Sequence, residues 1–205
     1  MSKEVIDFVI KHAKDVIKSV NGKKIFPSIK MAQMIIESSG RDENGKFGIG
    51  KGMAVRKANN YFGIKADKRW KGRKIALSTP KDGKPVSLFR VYTSPLDSLL
   101  DHTQFLLKNA RYSINHVFAA KTPQQQAEAL QRAGYSESPT YSKALIALVK
   151  AYNLTDLDKP KESHPERYML LAGGVLMITG IICYQDEIKN KYKQLFKKQK
   201  RHEHS

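Results

Sequence analysis

Residues 27–40 read PSIKMAQMIIESSG, and this stretch decides how the chain is expected to fold. The Pro27-Ser28 pair is typical of a helix start, with Ser28 as the N-cap. Apolar side chains surround most of the segment that follows, which predicts a helix buried on nearly all sides. Its last turn contains Glu37, and a Ser-Ser-Gly loop comes directly after it. The pattern therefore predicts a buried helix with one carboxyl group at its end.

Glu37 is the first candidate for chemistry. A carboxyl group that leaves a buried apolar helix is partly removed from water, and this favours its neutral form. A carboxyl group that stays neutral near neutral pH can act as a general acid. An ordinary exposed glutamate at a helix end fits the same spacing, so the spacing alone leaves both interpretations open.

The composition bounds the class of protein. The chain has 205 residues, is 40% hydrophobic and carries a net charge of +18, which predicts one ordinary domain with an appendage and an anionic partner. Residues 1–167 hold +14 of this charge and residues 185–205 hold +4. Cys183 is the only cysteine and the histidines show no HExxH pattern, so we expect no disulfide, metal or cofactor.

The rest of the folded part is predicted to be mainly helical. A Gly-rich, charged loop is expected over 39–58, and two β-type segments, 73–79 and 86–92, flank an Asp-Gly turn that indicates a hairpin. Helical patterns or helix-start signals occur at 5–20, at Ser94-Pro95, at Thr122-Pro123 with a stop at Gly134, and at 139–152. We therefore expect a helical domain with one small β-hairpin lobe, the α+β class.

The C-terminal region divides into three parts. A polar linker, 159–167, precedes the uncharged segment YMLLAGGVLMITGIICY at 168–184, and a basic tail follows at 185–205. The uncharged segment, with a tyrosine at each end and a lysine-rich flank, predicts a transmembrane helix at the short end of the usual range. A buried helix of a soluble fold is the alternative. The folded domain is accordingly expected to span 1–158.

Five short motifs occur in an order that resembles a known family. They are QMIIESSG at 33–40, NNYFGIK at 59–65, WKG at 70–72, FRVY at 89–92, and Gly134-Tyr135 followed by Pro139 and Tyr141. Together they resemble the bacterial and phage N-acetylglucosaminidase domain, family 73 of the glycoside hydrolases, over about residues 5–157. The resemblance implies a lysozyme-like fold and cleavage of the β-1,4 bond after N-acetylglucosamine in peptidoglycan glycan strands. It also implies that Glu37 is the general acid.

The resemblance breaks down at the second carboxylate. Family members usually offer a Thr-x-Glu before the FR-x-Y segment of the hairpin, whereas this chain has Thr79-Pro80-Lys81-Asp82. Asp82 is the nearest acidic substitute, although an Asp-Gly turn explains it equally well. If Asp82 does not reach the sugar, a water molecule held by other groups or the N-acetyl oxygen of the substrate takes the second role.

The resemblance also implies a set of substrate-binding residues, each with a structural alternative. For Asn59, Asn60, Phe62 and Gly63, the alternative is a tight turn stabilised by the Asn side chains, with Phe62 in the core. For Tyr135 and Tyr141, the alternative is an ordinary buried position. Trp70 is either a sugar platform or a hairpin anchor. The implied substrate-binding residues are Asn59, Asn60, Phe62, Gly63, Tyr135 and Tyr141.

We therefore expect an enzyme that hydrolyses peptidoglycan. A non-catalytic peptidoglycan-binding relative is the alternative, because the second carboxylate is missing. A nucleic-acid binder is supported by charge alone, and no recognition motif accompanies it, so no nucleic acid partner is expected. A transmembrane helix at 168–184 further predicts a membrane-anchored protein whose catalytic domain faces the cell wall.

Overall fold

The computed structural model describes residues 2–77 and 87–159, and within them the chain forms helices around two small hairpins. The strands pair as β1 (Gly40–Arg41) with β2 (Phe47–Gly48), and β3 (Lys74–Ala76) with β4 (Leu88–Arg90). Single 3₁₀ turns cover Val117–Ala119 and Leu154–Asp158. The α-helices are α1 (Lys3–Val20), α2 (Pro27–Ser38), α3 (Met53–Ala58), α4 (Pro95–Lys108), α5 (Ala110–Ile114), α6 (Pro123–Arg132) and α7 (Tyr141–Ala151).

Helix α2 lies in the core, as its apolar sequence predicts. It contacts α1, α6, α7 and the Leu154–Asp158 turn. Ile29, Met31 and Met34 have no exposed surface, although they point in different directions around the helix. Complete burial of such a side chain is worth about 1.5–3 kcal/mol, so packing rather than helix propensity holds α2 in place.

The cap of α2 differs from the prediction. Phe26 occupies the N-cap position and its side chain makes no cap hydrogen bond, while Ser28 lies inside the first turn. The Ser28 backbone N–H and hydroxyl donate to the two carboxylate oxygens of Asp158, at 2.8 and 2.7 Å. Asp158 therefore accepts the hydrogen bonds at the start of α2, although it lies far away in the sequence. A local sequence pattern cannot reveal such a partner.

The predicted hairpin forms from β3 and β4, with Ile75 opposite Phe89. The loop predicted over 39–58 is wrong in part, because it contains β1, β2 and α3. The β1–β2 turn is held by the Asp42 carboxylate, which accepts from two backbone N–H groups of the turn. Two-residue strands and a six-residue helix are too short to produce a readable hydrophobic period.

The other helix signals are confirmed. Ser94 caps α4 by accepting from the Asp97 backbone N–H, and Thr122 caps α6 in the same way through Gln125. Gly134 follows the end of α6 with φ +66°, a conformation that glycine adopts without strain. Helix α7 begins at Tyr141, two residues later than predicted.

Two predictions are corrected: the transmembrane helix, and the membrane-anchored location that was derived from it. No helix within residues 2–77 and 87–159 is long and apolar enough to cross a bilayer. The predicted segment, 168–184, lies outside the described residues. The fold that the described residues support is the helical domain with its small hairpins.

Candidate active site

Glu37 projects from the last turn of α2, where the helix leaves the core. Its side chain is partly buried, and the chain turns immediately beyond it. The Gly52 backbone N–H donates to the Ser38 carbonyl at 2.9 Å, so the residue before α3 lies against this turn. A Cβ on Gly40 would come within 2.7 Å of the Gly52 Cα, which explains why glycine is needed after the two serines.

The Glu37 carboxyl group is held by α7. The Tyr141 hydroxyl donates to Glu37 Oε1 at 3.0 Å and accepts from the Gln33 side-chain amide at 3.2 Å. Burial raises the pKa of Glu37 above its usual value, and the hydrogen bond from Tyr141 opposes this rise. A carboxyl group in this environment keeps its proton to higher pH than an exposed one and can therefore donate it.

Tyr135 lies beside Tyr141, with the two rings stacked 5.4 Å apart at an interplanar angle of 16°. The Tyr135 hydroxyl bonds to His102 Nε2 at 2.8 Å. The negative charge of Glu37 contributes to the raised pKa of Tyr135, after burial, so the two groups lie close enough to interact. The structure therefore brings Glu37, Tyr135 and Tyr141 together.

The NNYFGIK segment forms a tight turn. Asn59 adopts a left-handed conformation at the end of α3, and its side chain donates to the Tyr92 carbonyl at 3.2 Å. The Asn60 side chain is buried and bonds to both the N–H and the carbonyl of Ile64. Phe62 is buried and Gly63 is exposed at φ +60°. These contacts match the turn interpretation, and substrate binding by this segment stays a prediction.

Trp70 acts as a hairpin anchor. Its indole N–H donates to the Arg73 carbonyl at 2.9 Å, and the Arg90 guanidinium lies 4.7 Å from the ring centroid. Arg90 and Tyr92 both donate to Asp101 Oδ2, at 2.8 and 2.7 Å, and so attach the strand segment to α4. The other predicted acidic residue, Asp82, lies outside the described residues.

Three buried polar side chains near the tyrosines, Gln33, His102 and Lys30, belong to no sequence pattern that predicts their role. Gln33 bonds to Tyr141, while His102 bonds to both Tyr135 and Lys30. A lysine in an otherwise apolar helix was the available signal, because a buried ammonium group needs hydrogen-bond partners. Its partner on α4 is too distant in sequence for a local pattern to reveal it.

A cavity of about 390 Å³ lies away from this cluster. It opens between the end of α1 and the middle of α4, against Trp70 and Tyr92, and none of its lining residues belongs to the Glu37 cluster. The candidate site is therefore defined by the carboxyl group and its tyrosines rather than by this cavity.

Peptidoglycan hydrolases named FlgJ are similar in sequence to part of this chain. Peptidoglycan hydrolase FlgJ of Salmonella typhimurium is 38% identical over 96 residues, 44% of this chain and 30% of that protein. FlgJ of Pseudomonas aeruginosa is 36% identical over 98 residues, 45% of this chain and 24% of that protein. The chain thus matches at most about a third of the length of these relatives.

Solved structures share the fold. The glycoside hydrolase domain of Salmonella typhimurium FlgJ superposes with a TM-score of 0.59 at 26% identity, over 85% of this chain and 97% of that one. The catalytic domain of the autolysin Auto from Listeria monocytogenes gives 0.60 at 24% identity, over 77% and 89% of the two chains. These likenesses confirm the mainly helical, lysozyme-like part of the predicted fold.

The family comparison covers most of the described chain. The sequence model of the Glucosaminidase family, described as mannosyl-glycoprotein endo-beta-N-acetylglucosaminidase, matches residues 13–154. That range contains the end of α2, the hairpin and both tyrosines of the cluster. The chain therefore belongs to the mannosyl-glycoprotein endo-beta-N-acetylglucosaminidase family of glycoside hydrolases.

Proposed function

We propose that this chain hydrolyses peptidoglycan at the β-1,4 bond after N-acetylglucosamine, with Glu37 as the general acid. The observation that carries the proposal is the partly buried Glu37 carboxyl group bonded to the Tyr141 hydroxyl at 3.0 Å. Family membership and the similarity to FlgJ proteins, which are peptidoglycan hydrolases, support the choice of substrate.

The contact with Tyr141 suits a proton donor. Because the Tyr141 hydroxyl bonds to Oε1, the second oxygen of Glu37 is left to carry the proton toward the glycosidic oxygen. When the proton has left, the same hydroxyl stabilises the carboxylate, since hydrogen bonds to a charged acceptor are the stronger ones. Burial keeps the acid protonated before the reaction, and Tyr141 stabilises its conjugate base afterwards.

The second role in hydrolysis is assigned to Asp82 in this proposal. Glycosidases usually use two carboxyl groups, and their separation decides whether the reaction inverts or retains configuration. Asp82 follows the position at which the family usually has its hairpin glutamate. Water held by other groups, or the N-acetyl oxygen of the substrate, replaces Asp82 if the Asp82→Asn variant keeps its activity.

Sugar binding is assigned to the tyrosines and the NNYFGIK turn. Aromatic faces suit the C–H surfaces of sugar rings, and phenol hydroxyls suit their oxygens. The net charge of +18 supports attraction to an anionic cell wall, because it acts at long range and needs no specific contact. In this proposal, charge brings the chain to the wall and the residues around Glu37 act on the glycan.

Product analysis tests this proposal. Isolated peptidoglycan is digested with the full chain, the new reducing ends are reduced with borohydride, and the fragments are analysed by mass spectrometry. Reduced N-acetylglucosamine ends are expected, whereas reduced N-acetylmuramic acid ends would contradict the assigned bond. Binding to peptidoglycan without new reducing ends would favour the non-catalytic relative instead.

A further inference from the structure

Lys30 is a buried basic residue in the middle of α2, two turns before Glu37. Its side chain has no exposed surface, and its position in an apolar helix makes burial costly unless Nζ finds acceptors. It finds two on α4, His102 Nδ1 at 2.7 Å and Thr103 Oγ1 at 2.8 Å. The Thr103 hydroxyl donates a hydrogen bond to the Leu99 carbonyl, so the Thr103 oxygen accepts from Lys30.

The contact with Lys30 favours one hydrogen-bonding direction at His102. A lysine nitrogen carries at least two N–H bonds whether protonated or neutral, so Lys30 can donate to both Thr103 and His102. With Nδ1 as the acceptor, the neutral imidazole carries its hydrogen on Nε2 and donates it to the Tyr135 hydroxyl oxygen at 2.8 Å. Burial lowers the pKa of His102 well below its usual value, which favours this neutral form, and burial also lowers the pKa of Lys30.

The orientation of the His102 ring is held by Phe62 of the NNYFGIK segment. The two rings stack at a centroid distance of 3.8 Å and an interplanar angle of 2°. Phe62 also lies 5.2 Å from the Lys30 nitrogen, measured to the ring centroid. A ring clamped on its face and bonded at both nitrogens has little freedom to turn.

Tyr141 and Tyr135 each bond through the hydroxyl to a buried polar side chain. The Gln33 amide donates a hydrogen bond to the Tyr141 hydroxyl, and this hydroxyl donates a hydrogen bond to Glu37. With its hydrogen on Nε2, His102 donates to the Tyr135 hydroxyl, and the two tyrosine rings are stacked. In this tautomer Tyr135 directs its own hydrogen away from His102, and among residues 2–77 and 87–159 no acceptor for that hydrogen is found.

We infer that Lys30 and His102 are positioning residues, which hold the Tyr135 hydroxyl as a hydrogen-bond donor to a substrate oxygen beside Glu37. The inference rests on the proposed function, because it assigns these residues to the same glycan-cleaving site. Lys30 and His102 themselves touch no substrate. Their effect reaches the reaction only through the direction in which the Tyr135 hydroxyl donates.

A double-mutant cycle on peptidoglycan hydrolysis tests this inference. Lys30→Met keeps an unbranched side chain of similar length but removes the donor, and Tyr135→Phe removes the hydroxyl. Each single variant is expected to lower kcat/KM by about 10-fold, and the double variant to be no worse than Tyr135→Phe alone. Lys150→Met, on the exposed side of α7, is the charge-matched control and should keep full activity.

Two results of the cycle would overturn the inference. One is full activity in Lys30→Met, and the other is a double variant in which the two losses multiply, as expected if Lys30 only supports the fold. A wild-type chain that cleaves no peptidoglycan would instead refute the proposed function.

The tautomer of His102 gives a test that needs neither a variant nor activity. Nitrogen-15 chemical shifts of the His102 ring in the wild-type chain, recorded by NMR, should show the hydrogen on Nε2 and a bare Nδ1. A hydrogen on Nδ1 would reverse the direction of the bond to Tyr135 and overturn the inference even in a fully active enzyme.

Discussion

The Tyr141 hydroxyl donates a 3.0 Å hydrogen bond to Glu37 Oε1 across a separation of 104 positions in the sequence. This bond joins the end of α2 to the start of α7. It stabilises the ionised carboxylate, whereas burial favours the neutral acid. The pKa of Glu37 is thus set by two opposing effects, and each can be changed separately.

Removing the hydroxyl in Tyr141→Phe should raise the pKa of Glu37 further, because burial then acts unopposed. The acid stays protonated to higher pH, so the alkaline limb of the pH profile of kcat/KM should move to higher pH. The value at the optimum should fall about 10-fold or more, because the carboxyl group loses the contact that orients it. Initial rates on solubilised glycan strands over a pH series measure both effects.

The matched control is Tyr152→Phe, just beyond the other end of α7, whose hydroxyl accepts only a 3.4 Å bond from the Ser2 N–H among the described residues. Its profile should match that of the wild type. An alkaline limb that stays in place or moves to lower pH in Tyr141→Phe would show that Tyr141 does not tune Glu37.

The raised pKa of Glu37 should also destabilise the fold at neutral pH. Below the unfolded value of about 4.5, both states hold the proton. As the pH rises from there through the higher folded pKa, the unfolded chain ionises first and the free energy of unfolding falls. Glu37→Gln cannot ionise, so its stability relative to wild type should increase with pH across this window and then level off.

Urea unfolding of both proteins at about pH 4 and about pH 7 measures this difference. The exposed Asp7→Asn on α1 removes the same charge and serves as the control for the loss of one carboxylate. A Glu37→Gln chain whose stability relative to wild type does not increase between these two pH values would contradict the account of burial.

Asp101 should matter more for stability than an exposed ion pair. It accepts from Arg90 and Tyr92 in a partly buried contact, and the Arg90 side chain is only 13% exposed. Asp101→Asn should lower the free energy of unfolding by about 1–3 kcal/mol, because hydrogen bonds to a charged acceptor are lost. Glu43→Gln, which breaks a pair with Arg56 in which Glu43 is 84% exposed, should cost less than about 0.5 kcal/mol. Equal losses in denaturant unfolding would contradict this ranking.

Asp158 should act as the cap of α2. Asp158→Ala removes both acceptors of Ser28, and the expected loss of stability is about 1–2 kcal/mol. Hydrogen exchange of the Ser28 backbone amide should accelerate in the same variant, because that N–H donates to Asp158. Asp156→Ala, two residues earlier and paired with the exposed Lys159, is the control and should change neither quantity. An unchanged Ser28 exchange rate in Asp158→Ala would refute the cap.

Features of the fold encoded by local chemistry could be predicted from the sequence. The caps at Ser94 and Thr122 and the stop at Gly134 depend on a few adjacent residues, and all three are confirmed. The burial of α2 follows equally directly from its apolar composition. The α2 cap was missed because its acceptor, Asp158, is 130 positions away.

The candidate site shows the same limit. The family motifs led to Glu37, Tyr135 and Tyr141, and the structure brings these three together. The contacts that orient them come from His102 and Gln33, whose partners are distant in the sequence. Long-range hydrogen bonds between helices leave no periodic signal, so only the folded arrangement reveals them.

Hydrolysis by the Glu37→Gln variant tests the central claim most directly. The amide keeps the size of the side chain and still accepts from Tyr141, but it cannot donate a proton as a carboxylic acid does. Release of new reducing ends from isolated peptidoglycan should fall by about 100-fold or more in this variant and stay at the wild-type level in Asp7→Asn. A Glu37→Gln chain that folds normally and releases reducing ends at the wild-type rate would show that Glu37 is not the acid.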